Sequence, residues 1–306
     1  MDNITKKKIS EKGTYFVLLS LVVLTAATIL YFVGFIFYNA YPVFESQGLV
    51  NYLTGDVWNY GTNVYGIRTF ILATLAITAV TLVLAVPLSI FTAIYLSELA
   101  SPRMVEIFRP LIELLVGIPS VVYGIFGLYV LENLFQDSVD PIVSSALYFI
   151  PIFRDPDPGS GFGVFLASVV LAIMILPTVT TISEDSMRAV AREHREASYA
   201  LGATRWETIR HVVLPAAAGG ILSSVILGMM RAMGETMAVV MLIGGINSAP
   251  TSIFSATRPM TTKILADIGF YVSEPGPKSA LFGIAAVLFA IEILSVAAAR
   301  KLGGKG

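Results

Sequence analysis

Apolar residues along this chain fall into long unbroken runs, not into the two-residue alternation of a half-buried strand or the three-to-four spacing of a one-faced helix. The first run covers 15–38, twenty-four residues without a charge, directly behind Lys6, Lys7, Lys8 and Lys12. A secretory signal has an apolar region of only about 7–15 residues ending at a small-residue cleavage site. This run is longer and closes on Phe35, Ile36, Phe37 and Tyr38, which predicts an uncleaved anchor helix. Further runs lie at about 70–96, 111–131, 162–182, 216–243 and 280–299. At roughly 20 residues per crossing of a hydrocarbon core, the pattern predicts an all-α, polytopic membrane protein with about six spans and both termini on one side. It divides the chain into a tail 1–14, an anchor 15–38, a loop 39–66, a membrane domain 67–300 and a tail 301–306. A shorter apolar stretch, 142–153, is interrupted by Pro151 and reads as an interfacial or loop element. Pro87, Pro119 and Pro177 fall inside three runs, where a missing backbone donor kinks a helix.

Composition agrees: 56% of the 306 residues are hydrophobic and only 13% charged, with a mean hydropathy of +0.78. A soluble domain carries about 25% charged residues. The net charge of −1 offers no electrostatic footprint for nucleic acid. Zero cysteines exclude disulfides, thiolate metal sites and Cys nucleophiles. The placement of charge says more than its sum. Fourteen of the 20 Lys and Arg lie in segments on the side of the termini, five on the other side, and Arg231 lies within a run. By the excess of cations on cytoplasmic loops, both termini are expected in the cytoplasm. Glu132, Asp137, Asp140, Asp155 and Asp157 then form an acidic external loop. No internal repeat of the kind that marks inverted-repeat carriers is evident.

The connection 183–215, between the fourth and fifth runs, exceeds the 2–8 residues that commonly join packed helices. Ala189, Val190, Ala197, Ala200, Leu201, Trp206, Ile209, Val212 and Val213 recur at near-helical spacing among Arg and Glu. This predicts amphipathic helices broken near Gly202, with an apolar face that a partner or the lipid surface must cover. Within it, Glu196-Ala197-Ser198, three residues, Gly202, nine residues, Val212, one residue and Leu214-Pro215 resembles the EAA loop of binding-protein-dependent ABC importer permeases. Ser198 and Val212 replace the family's second Ala and Ile. The stretch Arg109 to Gly124 and the stretch Arg231-Ala232-Met233-Gly234-Glu235-Thr236-Met237-Ala238-Val239, with Tyr65-Gly66, are similar to the membrane subunits of the phosphate importer, nearer its PstC-type than its PstA-type subunit. The resemblance covers about residue 60 to the C-terminus.

The resemblance implies a type I ABC importer permease (MetI-like) fold, with 183–215 as the coupling helix region that sits in a groove of an ATPase subunit. It also implies a homologous PstA-like permease, two ATP-binding cassette subunits that bind the ATP and Mg, and an extracytoplasmic phosphate-binding protein. The chain itself is expected to hold no cofactor and to catalyse nothing, with lipid around it and no nucleic acid. Its place would be the inner membrane of a prokaryote. The sequence has no G-x-x-x-x-G-K-[ST]; Gly276-Pro277-Lys278-Ser279 lacks the Gly-Lys step. His194 and His211, both in the connection, are expected to face water or a partner, not a metal.

Arg231 and Glu235 sit at i and i+4, on one face of a continuous helix, where they can pair. Two readings stay open: an ion pair that fixes packing, or a guanidinium fork for a passing oxyanion held and neutralised by Glu235, with Thr236 beside it. Thr69, Thr74, Thr78 and Thr81 could line a polar path or bond their own helix. Glu113 reads as a helix-start carboxylate and Glu292 as an inter-helix or snorkelling group. Rival functions are a permease for sulfate, molybdate or tungstate, an ion-coupled carrier or channel, and a membrane anchor whose loop recruits a partner.

Overall fold

The computed structural model describes residues 2–155 and 160–303, with side chains for 14–155 and 160–301. Its helices are α1 (Asp2–Gln47), α2 (Leu49–Thr54), α3 (Arg68–Leu99), α4 (Pro102–Val116) and α5 (Ser120–Ala146), followed by α6 (Val164–Arg188), α7 (Arg192–Ala200), α8 (Arg205–Gly234), α9 (Met237–Leu242), α10 (Met260–Tyr271) and α11 (Pro275–Gly303). A two-stranded antiparallel hairpin, β1 (Trp58–Asn59) and β2 (Val64–Tyr65), pairs Trp58 with Tyr65 and Asn59 with Val64.

Among the described residues, five helices are long and apolar enough to cross a membrane, and α4 with α5 forms a bent pair that passes the same criterion jointly. Helix α6 lies at the centre, packed on α3 and α8. Small residues bring α3 and α6 close, and hydroxyls bridge them. Ser168 Oγ donates to Ile77 O at 3.2 Å, Thr81 to Ser168 O at 3.5 Å, Ser89 to Leu176 O at 3.3 Å and Thr180 to Ser89 O at 3.5 Å. Such contacts suit a medium in which burial of apolar surface drives no helix association. On the other side of α6, Ser183 and Ser224 meet at 2.7 Å. Helices α1 and α11 pack together at the edge, and the bundle has two ends: one carries α7, the other the β hairpin and residues 244–258.

The structure corrects four readings of the sequence. The run 111–131 is two helices bent by 94° at Gly117-Ile118-Pro119. Proline lacks an amide donor and drives the residue before it away from helix, and α4 is amphipathic, with none of its residues buried. Glu113 therefore lies in the last turns of α4, paired with Arg109 at 3.1 Å, and opens no span. The run 216–243 ends as a helix at Gly234, since Glu235 is extended (φ −68°, ψ 131°). Glu132, Asp137 and Asp140 sit on α5, not in a loop; Asp157 lies outside the described residues.

Element boundaries also move. Helix α1 continues beyond the expected anchor to Gln47, so the segment 39–66 holds the end of α1, α2 and the hairpin. The stretch 142–153 holds the end of α5 and a single 3-10 turn, Pro151–Phe153.

A candidate coupling surface and a candidate translocation path

The connection 183–215 folds as expected into helices broken at Gly202. Gly202 takes φ +86°, a left-handed conformation that closes α7 and that a residue with a Cβ resists. Its N–H donates to Tyr199 O at 2.9 Å and that of Ala203 to Ser198 O at 3.2 Å. Thr204 then starts α8 with a reciprocal capping box: its hydroxyl accepts from Glu207 N at 3.3 Å, while Thr204 N donates to Glu207 Oε2 at 2.7 Å.

Part of the apolar face of this region is covered within the chain. Val190, Ile209 and Val213 are buried against Ala93, Ile94, Met187 and Ala217. Leu201, 90% exposed, and Trp206, 53% exposed, remain open. Of the EAA-like residues, Glu196, Ala197, Gly202 and Pro215 are exposed, whereas Ser198, Val212 and Leu214 are half-buried. Ser198 Oγ meets Thr208 Oγ1 at 2.9 Å and ties α7 to α8.

A residue the motif does not contain also holds α7 to the bundle. Arg195 donates to Glu98 Oε1 at 2.7 Å and Oε2 at 3.2 Å, and to the carbonyls of Val190 at 2.5 Å and Met187 at 2.8 Å. Arg188 reaches Glu184, which is 1% exposed, at 2.8 Å and Leu96 O at 3.1 Å. Arg109 on α4 pairs with Asp185 at 3.0 Å. Three guanidiniums thus knit the ends of α3, α4, α6 and α7. The i, i+4 spacing of Glu184 and Arg188 is visible in the sequence; the partnership of Glu98 with Arg195, 97 positions apart, is not.

Arg231 and Glu235 do not share a helical face. Arg231, half-buried in α8, donates to Thr178 Oγ1 at 3.3 Å. Glu235 Oε1 instead accepts from the amides of Thr236 (3.2 Å), Met237 (3.1 Å) and Ala238 (3.4 Å), so its carboxylate caps the unpaired donors that begin α9. Among the described residues no ion pair joins Arg231 to an acid. Thr236 Oγ1 donates to Gly234 O at 3.2 Å. The threonines of α3 are buried: Thr74 bonds Phe70 O at 2.9 Å and Thr78 bonds Thr74 O at 2.8 Å, their own helix, and Thr81 bonds α6. Glu292 approaches the helix break, with Oε1 4.0 Å from where a Cβ at Gly234 would stand.

At the opposite end of the bundle a buried cation escaped the sequence. Lys263, 2% exposed, lies 4.7 Å from the Trp58 ring centre, 5.3 Å from that of Phe70 and 5.5 Å from that of Tyr60. Its Nζ pairs with Asp267 at 2.5 Å, and Asp267 also accepts from the Tyr60 hydroxyl. Tyr60 stacks on Tyr271 at 3.7 Å. Helix α10 is not a candidate span; there burial, with Arg258 nearby, pushes the Lys263 ammonium down from its usual range against the pull of Asp267. The Lys-x-x-x-Asp spacing on α10 was readable; the aromatic box, drawn from the hairpin and α3, was not. Among the described residues no three His, Asp or Glu side chains converge as a metal site requires.

The family profile described as the binding-protein-dependent transport system inner membrane component matches residues 85–302. The chain belongs to that family. Among its relatives, the probable ABC transporter permease protein YqgH of Bacillus subtilis is 38% identical over 258 residues, covering 84% of this chain and 78% of the relative. The phosphate transport system permease protein PstC of Mesorhizobium japonicum is 37% identical over 257 residues, covering 82% and 77%. The permease also shares its fold with a chain of a bacterial alginate ABC transporter complex, at a TM-score of 0.59 with 16% identity over 94% of this chain and 93% of that one. A chain of the inward-facing MetNI methionine ABC transporter superposes at a TM-score of 0.55 with 16% identity over 76% and 91%. The chain is therefore a multi-pass membrane permease subunit with the MetI-like importer fold.

Proposed function

We propose that this chain is the PstC-type permease of an ATP-driven, binding-protein-dependent importer for inorganic phosphate. The observation that carries the cargo is the match to relatives named PstC over more than three quarters of their length, at 37% and 36% identity. A PstA-like permease completes the path, two ATP-binding cassette subunits hydrolyse ATP, and an extracytoplasmic phosphate-binding protein delivers the anion. The chain holds no cofactor of its own and is not the enzyme. It lies in the inner membrane of a prokaryote with both termini cytoplasmic.

The geometry supplies a mechanism. Leu201 and Trp206, exposed on the elements flanking Gly202, are the face an ATPase groove would cover. Arg195 and the pairs around it make α7 rigid with α3 and α6, so a displacement of α7 on ATP binding tilts the central helices as a body. At the other end of α8, Arg231 supplies a planar set of donors that no acid among the described residues closes, at a depth where a charge costs about 2.5–3.5 kcal/mol on insertion scales. An oxyanion on the path offsets that cost while it passes. Glu235, held by three amides, fixes the break between α8 and α9 and sets the field there, with Thr236 beside it.

Uptake of labelled phosphate into proteoliposomes holding the whole complex tests the reading. Uptake should require ATP and the cassette subunits, and be competed by phosphate above sulfate, molybdate or tungstate. Uptake that persists without the cassettes sinks it, and preference for another oxyanion changes the cargo. Arg231→Ala should abolish uptake while the cassettes still co-purify. Normal uptake would leave Arg231 a packing residue.

A further inference from the structure

Beside Arg258, at the end of the bundle opposite α7, lies a cavity of about 340 Å³ lined by Met241, Gly244, Gly245, Arg258 and Thr262, among others. Its shape depends on two successive glycines in left-handed conformation, Gly244 at φ +82° and Gly245 at φ +71°. They fold the chain back on residues 256–258, where Thr257 N donates to Ile243 O at 3.1 Å. A Cβ at Gly244 would stand 2.6 Å from that of Ala256. A Cβ at Gly245 would stand 3.3 Å from Arg258 Nη2, so the guanidinium lies close against bare backbone.

Three other cations on the side of the bundle away from α7 have a partner within the chain, and Lys278 lies 5.9 Å from the Phe282 ring centre. Arg68 pairs with Asp56, Lys263 with Asp267, and Arg154 donates to Tyr148 O at 3.1 Å. Among the described residues Arg258 has neither a hydrogen-bond acceptor nor an acid within ion-pair distance. A half-buried guanidinium with five donors and no acceptor, beside a cavity, is matched to a bidentate oxyanion.

The wall of the cavity is tied by a hydrogen bond to the α8–α9 break. Thr262 lines it, and the preceding Thr261 donates to Glu235 O at 3.1 Å. Helix α9, six residues and about 9 Å of rise, runs from the break to the cavity, which its Val240 and Met241 line. The segment 258–262 thus lines the cavity with Arg258 and Thr262 and touches the Glu235 turn with Thr261.

We propose that Arg258 and this cavity form a receiving site for a tetrahedral oxyanion, one short helix outward of the α8–α9 break. The inference rests on the phosphate reading above and extends it to an entry step. An unpaired cation at the mouth raises the local concentration of the released anion and orients it toward the break. Arg231 lies one turn behind that break, so the two cations stand in series. Thr262 Oγ1 donates to Pro259 O at 3.0 Å and keeps its lone pairs for a protonated oxygen of phosphate.

The test uses the whole complex in proteoliposomes with the binding protein and labelled inorganic phosphate. Arg258→Gln should lower uptake about tenfold or more, the scale of losing a hydrogen bond to a charged group, and Arg258→Lys should recover part of it. Equal uptake by Arg258→Gln and the unaltered complex overturns the inference, as does an equal loss in the Gln and Lys variants. Loss of the binding protein's stimulation of ATP hydrolysis in parallel with uptake would make Arg258 a docking contact, which also overturns it. Because the chain has no cysteine, Arg258→Cys beside cysteine-free partners gives a second measurement on one assembled protein. A cationic methanethiosulfonate should restore uptake, and an anionic one should not; equal effects of the two overturn the role of charge. If the unaltered complex imports sulfate or molybdate but not phosphate, the cargo reading fails and the same variants are scored on that oxyanion. If it imports no oxyanion, both fall together.

Discussion

Arg195 decides whether the exposed helix α7 is a lever or a loose tail. It is 16% exposed and its partner Glu98 is 9% exposed, so the pair stands between surface pairs, worth about 0–1 kcal/mol, and buried pairs, whose breaking costs about 3–5 kcal/mol. Arg195→Ala is expected to cost about 2–3 kcal/mol on that scale, seen as a lower thermal midpoint of the purified complex. It should also uncouple ATP hydrolysis from uptake. Arg195→Lys should not rescue coupling, because one ammonium cannot reproduce the fork to both carboxylate oxygens together with two carbonyls. Wild-type coupling in either variant would remove Arg195 from the lever. Lys263 poses the complementary question: Asp267→Asn strips the carboxylate from a cation already boxed by three rings, and about 3–5 kcal/mol of stability should go with it. Lys263→Met in the same background should restore much of that loss, measured by the same melting transition. The partnership of Glu98 with Arg195, 97 positions apart, is not legible in the sequence; for Lys263 the i, i+4 pairing with Asp267 is legible, but the rings around it, from the hairpin and α3, are not.

At the scale of elements, what local chemistry dictates was readable and what depends on direction was not. The turn at Gly202 follows from the spacing of apolar residues on either side, and the cap at Thr204 from the Thr-x-x-Glu that follows it. By contrast, the apolar run 111–131 begins inside a helix on which Arg103, Glu106, Arg109 and Glu113 repeat every three to four residues, so α4 has a wet face and ends where Pro119 forces a turn. The run 216–243 hides its break for a related reason: Glu235 sits among apolar residues, and only the unpaired amides of α9 show what it binds. The exposed tip of α7 gives a test at this scale. Leu201→Ser touches a side chain that is 90% exposed, so the melting point of the permease should not change, whereas co-purification of the cassette subunits should weaken. Gly202→Ala forces a Cβ into φ +86° and should cost about 1 kcal/mol while turning the tip of α7. Full ATPase coupling in both variants would place the docking face elsewhere.

The whole molecule is unevenly packed, and the imbalance carries information about its surroundings. The most apolar stretch of α6 is 61% buried, that of α3 and of α11 33% each, and that of α1 not at all. Helix α1 is fixed only near its end: Ala40 and Val43 are buried, Val43 N donates to Ser279 Oγ at 2.8 Å, and Phe35 meets Phe282 edge-on at 5.7 Å. Before that, residues 14–32 are all exposed. A stretch of helix that packs on none of the described residues is surrounded either by lipid tails or by another subunit. Its polar side chains discriminate between the two, because a subunit interface in a membrane uses hydroxyls as bridges, as the α3–α6 seam does. On α1, Ser20 donates to Val17 O at 2.8 Å, Thr25 to Leu21 O at 2.9 Å and Thr28 to Leu24 O at 2.8 Å. All three are satisfied by their own helix, the arrangement that hydrocarbon demands. A triple replacement of Ser20, Thr25 and Thr28 by valine is therefore expected to leave complex assembly and phosphate uptake unchanged. Ser168→Val, which removes the bridge from α6 to Ile77 O and crowds the close seam with α3, should lower the melting point. Loss of the second permease from the complex in the triple variant would instead place a neighbouring subunit against α1.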